Sequence, residues 1–115
     1  MGKYASTSDI SSFLAQAKKL ISEGNYVFVP RRKNLAALAN YGLTITDAKD
    51  EILDLMVTDY YKGPKQDFDK TQPGDIWEFK KIVDDEQFYV KLKIQNIDGK
   101  NILKCLSFHE DEYSC

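Results

Sequence analysis

The sequence predicts an α+β domain in which N-terminal helices pack on one face of a twisted antiparallel sheet. Two observations carry this. Apolar residues recur at helical spacing up to about residue 56, and from Val57 the period changes to two. A third, the length of 115 residues, suits one core and not two, so 1–115 is read as a single domain. Its ends, 1–8 and 111–115, are expected to be flexible.

Ser8 or Asp9 can cap a first helix from about Ile10 to Glu23. Ile10, Phe13, Leu14, Ala17, Leu20 and Ile21 form its apolar stripe, and Gly24 supplies the stop. Tyr26 to Val29 reads as a short extended piece ended by Pro30. A second helix fits Lys33 to Tyr41, with Leu35, Leu38 and Ala39 inward and Gly42 terminating it. Thr46 would cap a third helix, Asp47 to about Met56, whose early acids Asp47, Asp50 and Glu51 suit the positive end of the helix dipole.

Beyond it, Val57 to Lys62 reads as extended and Gly63 to Gly74 as a polar loop. Strands follow at about Ile76–Val83, Phe88–Gln95 and Asn101–Phe108. A two-residue Asp84-Asp85 loop pairs Trp77 with Leu92 and Phe79 with Val90, and on the other face Glu78 with Lys91 and Lys80 with Tyr89. An odd loop would set both aromatics against lysines. Asn96-Ile97-Asp98-Gly99 matches a three-residue turn that pairs Val90 with Leu106 and Gln87 with His109. The rival, a two-residue Asp98-Gly99 turn, would bury Ser107 and His109. Under the first register one face carries Trp77, Phe79, Phe88, Val90, Leu92, Ile94, Leu106 and Phe108. The open face carries Glu78, Lys80, Tyr89, Lys91, Lys93, Ser107 and His109, and is the candidate site.

Composition excludes several classes. No apolar run reaches the ~18–20 residues that span a bilayer, and the polar start is no signal peptide, so a cytoplasmic location is expected. Cys105 and Cys115 make no disulfide framework; Cys105, in an apolar strand, reads as a small hydrophobe. One His and two distant Cys cannot fill the four positions zinc usually takes, and neither a metal nor a cofactor is expected. The net charge of −2 does not by itself suggest a nucleic-acid binder, yet residues 1–40 carry six Lys/Arg against two acids. A local basic groove depends on arrangement and not on the sum.

The run KNLAALANYGLTITDAKDEILDLMVTDYYKGP, followed by GDIWEFKK, YVKLKI and KCLSFHE, resembles the MqsR-type toxins over roughly Phe13 to Glu110. The resemblance implies a RelE-like fold whose exposed sheet face holds RNA, cleavage of mRNA without a metal, inhibition of translation, and a cognate antitoxin as partner. It places a Tyr-Lys pair on Tyr61 and Lys62 and a catalytic-face tyrosine on Tyr89. A family Gln is replaced here by Glu78, and a family Arg by Lys80 or Lys81, of which strand parity favours Lys80. His109 inherits no role.

These residue types suit attack of an RNA 2′-OH on the adjacent phosphorus. Such a step needs a base, cations on the phosphorane and an acid at the leaving oxygen. Lys62 and Lys91 can stabilise charge, Tyr89 can orient the phosphate or donate, and Glu78 or His109 can move protons. Tyr61, Lys80, Lys91, Lys93, Arg31 and Arg32 are candidate RNA contacts. Plainer readings exist: Glu78 and Lys91 as a surface pair, Arg31-Arg32-Lys33 as a solvated helix start, and Glu110-Asp111-Glu112 as a solvated end. A non-catalytic binding module and a ribosome-dependent RelE-type nuclease are the competing functions.

Overall fold

The computed structural model describes residues 5–67 and 74–112. Helices α1 (Thr7–Ser22), α2 (Arg32–Tyr41) and α3 (Ile45–Leu53) precede most of the sheet. The strands are β1 (Tyr26–Phe28), β2 (Tyr60–Gln66), β3 (Asp75–Val83), β4 (Glu86–Ile97) and β5 (Lys100–Glu110), in the order β1-β5-β4-β3-β2. All neighbours are antiparallel except β1, which runs parallel to β5 and makes the sheet mixed. The expected α+β arrangement, helices on one face of the sheet, is the observed one.

Helix starts lie earlier than the expected caps. Ser6, not Ser8 or Asp9, caps α1 by accepting from the Asp9 amide. Thr44, not Thr46, opens α3, exchanging bonds with Asp47 in a capping box. That box fixes the start, and α3 ends at Leu53 instead of near Met56. The next residues form a 3₁₀ turn, Val57–Asp59, where an extended segment was expected. In α2 the inward face is rotated: Asn34, Ala37 and Leu38 are buried, while Leu35 and Ala39 are exposed. The buried amide of Asn34 is satisfied by backbone groups of β5 and of Val29, just past β1, which explains why a polar residue faces inward.

The core lies between the helices and the apolar sheet face. Ile10, Phe13, Leu14, Ala17, Leu20 and Ile21 of α1 meet Phe79, Phe88, Val90, Leu92 and Phe108, each of these five fully buried. Cys105 is buried there too, and burial pushes its thiol up to about 12, so it packs as an inert hydrophobe. Trp77 is half-buried and stacks on Phe13 at 4.5 Å between ring centroids.

The β3–β4 hairpin has the expected two-residue loop, with Val83 opposite Glu86, Trp77 opposite Leu92 and Glu78 opposite Lys91. The β4–β5 turn differs from expectation. Ile97 pairs with Lys100, so Asp98-Gly99 is a two-residue turn with φ of 53° and 82°. Left regular, this ladder would turn Phe108 outward and His109 inward. A bulge at Leu106 inserts one unpaired residue, so that Lys91 opposes Ser107, Val90 opposes Phe108 and Tyr89 opposes His109. The bulge restores parity: Phe108 is buried and His109 stays on the open face, opposite Tyr89 and so two residues along β4 from its expected partner Gln87.

Strand β2 continues through Gly63 and Pro64, where a polar loop was expected, at the expense of register shifts. Gly63 has φ 115°, and a Cβ there would stand 2.6 Å from the Ile76 carbonyl oxygen. Only glycine lets β2 approach β3 this closely.

Candidate functional site

The open face of β2–β5 and the start of α2 enclose a cleft of about 470 Å³. Strand alternation delivers Glu78 and Lys80 from β3, Tyr89 and Lys91 from β4, and Ser107 and His109 from β5, while a register shift between Tyr60 and Lys62 lets the consecutive Tyr61 and Lys62 of β2 both line the floor. Arg31, Arg32 and Lys33 form the rim, and Asp111 and Glu112 close the end beyond β5. Six cations thus face three carboxylates, a local positive balance within a chain of net charge −2.

Every residue singled out from sequence lines this cleft except Lys93. Parity does put Lys93 opposite Ile76 on the open face, but it is 1% exposed and ion-paired to Asp67 Oδ2 at 2.6 Å. Asp67, just past β2, and Gly74, which lies against the Lys93 side chain, cover it, which is why alternation alone misplaced it. Lys81 lies away from the cleft, bonded to Glu51 at 2.7 Å and to Asp54, so Lys80 is the cleft lysine of the pair.

Tyr89 is the centre of the arrangement. Its hydroxyl donates to Glu78 Oε1, and the other Glu78 oxygen meets Lys65 Nζ at 3.0 Å. The His109 ring lies 5.7 Å from the Tyr89 ring, and Lys91 Nζ lies 5.9 Å from it on the neighbouring pair of positions. His109 Nδ1 is 2.9 Å from the Glu110 carbonyl oxygen, which can only accept. In the neutral ring Nδ1 therefore carries the proton and Nε2 keeps a lone pair. Tyr61 carries two ammonium groups over its ring, Lys80 at 4.0 Å and Lys62 at 5.2 Å.

A family model described as "Motility quorum-sensing regulator, toxin of MqsA" matches residues 11–110, most of the chain. The chain belongs to the MqsR toxin family. A search of curated proteins returned no match. The matched span includes all of the cleft floor and the Arg31–Lys33 rim of this MqsR-family chain. No helix among the described residues is long and apolar enough to cross a membrane. Nor, among those residues, do three of His, Cys, Asp and Glu come together as a metal ion would require.

The electrostatics sort the cleft groups into distinct roles. Burial alone would raise the Glu78 carboxyl. Hydrogen bonds from Tyr89 and Lys65, with the charges of Lys65 and Lys62, outweigh it and hold Glu78 below the usual carboxylate range. Burial, reinforced by the adjacent Glu78 carboxylate, pushes the Tyr89 hydroxyl far above the usual phenol. Tyr89 therefore stays protonated and is a donor, not a base. Lys80 is raised by its hydrogen bond to Asp111 against the opposing effect of burial. Burial lowers Lys91; Glu78 opposes this, and Lys65 and Arg31 reinforce it. Lys91 is thus more ready than Lys80 to release a proton.

Asp111, Lys65 and Asn34 carry structure here that the sequence reading missed. Asp111, read as part of a solvated tail, is 9% exposed. Its Oδ2 accepts from Lys80 at 2.8 Å and from Gln87 Nε2 at 2.9 Å. Glu112 pairs with Lys33 at 2.7 Å. The signal was available: residues 107, 109 and 111 share one strand parity. Lys65 was hidden by reading Gly63-Pro64 as the start of a loop.

Proposed function

We propose that this chain is a metal-independent endoribonuclease that cleaves mRNA by attack of a 2′-OH on the adjacent phosphate, acting as the toxin of a toxin–antitoxin pair. The observation that carries the reading is the convergence on Tyr89 of a protonated phenol, an imidazole with a free Nε2 and a lysine of lowered proton affinity, inside a positively charged cleft.

His109 Nε2 takes the 2′-OH proton; a general base of this kind typically contributes ~10²–10⁴-fold. The Lys62 and Lys80 ammonium groups, held near the Tyr61 ring, stabilise charge on the phosphorane. Lys91 gives its proton to the leaving 5′ oxygen and regains it from water. Glu78 is ionised, but both of its oxygens are engaged, so it orients Tyr89 and does not serve as the base. The Arg31–Arg32–Lys33 rim binds phosphates of the flanking RNA without reading sequence. Lys93 has no part in this set. The partner is the cognate antitoxin, consistent with the family description as a toxin of MqsA.

The test is incubation of the purified chain with single-stranded RNA and a chelator, with and without ribosomes. Cleavage in both is the expected result. Cleavage only with ribosomes assigns the ribosome-dependent class, and inactivity in both assigns a binding module.

A further inference from the structure

The bulge at Leu106 takes backbone groups of β5 out of the ladder to β4 in a buried part of the sheet. Buried amides and carbonyls need partners. One side chain supplies them. Asn34, in the first turn of α2 and 1% exposed, accepts from the Phe108 amide at 3.0 Å through Oδ1. Its Nδ2 donates to the Leu106 carbonyl at 3.1 Å and to the Val29 carbonyl, just past β1, at 2.9 Å. A single amide thus ties α2 and the end of β1 to both sides of the bulge.

The competition that this bulge settles decides where His109 points. A regular ladder would keep β5 paired to β4 without interruption but turn Phe108 out and His109 in. The bulged ladder buries Phe108 and presents His109, but only if the displaced backbone finds other partners. We infer that Asn34 is a positioning residue of the cleft: it locks the bulge in β5 and thereby holds His109 against Tyr89. This rests on the ribonuclease reading only for its effect on rate, and its structural part can be tested without RNA.

The chain contains one histidine, so its imidazole gives a single clean NMR reporter. In the unmodified protein the Phe108 amide should be protected from hydrogen exchange, and His109 should show cross-relaxation with the Tyr89 ring. In Asn34→Ala and in the milder Asn34→Ser, measured well below their melting temperatures, that cross-relaxation should be lost. The cleavage rate constant should fall on the order of 100-fold, as for a misplaced reacting group, with KM little changed. Phe108 exchanging freely in the unmodified protein would overturn the inference, and that reading requires no variant to fold. Retained cross-relaxation in a folded variant, with only a lower melting temperature, would overturn it as well. Lost cross-relaxation with full cleavage would support the clamp and count instead against His109 as the base.

Discussion

Glu78 shows how one residue joins stability to the site. Its carboxylate is 2% exposed and is held by Tyr89 and by Lys65, which lowers its proton affinity in the folded chain. A carboxyl depressed on folding adds stability that is present above its unfolded titration range and is lost as pH falls through the folded one. Acidification should therefore destabilise the protein, and Glu78→Gln should flatten part of that dependence. At neutral pH the same variant should cost about 1 kcal/mol, since Lys65 is half-exposed and screened. Chemical denaturation at a series of pH values checks both; a curve of unchanged shape would mean that Glu78 is not depressed. His109→Gln makes a different prediction. With His109 as base, the cleavage rate should rise with pH along a limb that belongs to that base. The variant should be slower and lack that limb. A slow variant that keeps the limb would remove His109 from the chemistry. Residues of this kind were legible from strand parity, which placed Glu78, Lys80, Tyr89 and Lys91 correctly. The same rule misplaced Lys93, because alternation names a face but does not say what covers it.

At the level of elements, the β3–β4 hairpin was legible and the β4–β5 hairpin was not. Two aromatics had to avoid lysines in the first, and only an even loop allowed it. In the second, a two-residue turn and a bulge combine to give nearly the same faces as a three-residue turn. Hydrophobic parity cannot distinguish two such solutions, and the satisfaction of the bulge by Asn34 is a tertiary fact. Helix α2 was misread for the same reason, since its inward face is set partly by that amide. The Asp84-Asp85 turn is a further consequence. Both residues have positive φ, 52° and 64°, where glycine is favoured at the second position. Asp85→Gly should raise stability by about 1 kcal/mol and the melting temperature by about 4 °C for a domain of this size. Calorimetry decides; a drop would mean that the Asp85 side chain makes a contact worth more than the relieved strain.

For the molecule as a whole, the helix-then-sheet order gave the architecture, while the parallel edge strand β1 was too short for its pairing to be read. The net charge of −2 understated the site, because the α3 acids and the β3–β4 turn lie outside a cleft whose own lining is positive. The central claim is that this cleft directs a 2′-OH at its neighbouring phosphate. Its most direct test is the chemistry of the RNA ends after cleavage by the purified chain in the presence of chelator. The mechanism requires a 2′,3′-cyclic phosphate on one fragment and a 5′-hydroxyl on the other, with His109→Gln giving the same ends more slowly. Fragments bearing a 5′-phosphate and a 3′-hydroxyl would show that water, not the 2′-OH, attacks, and would contradict the account.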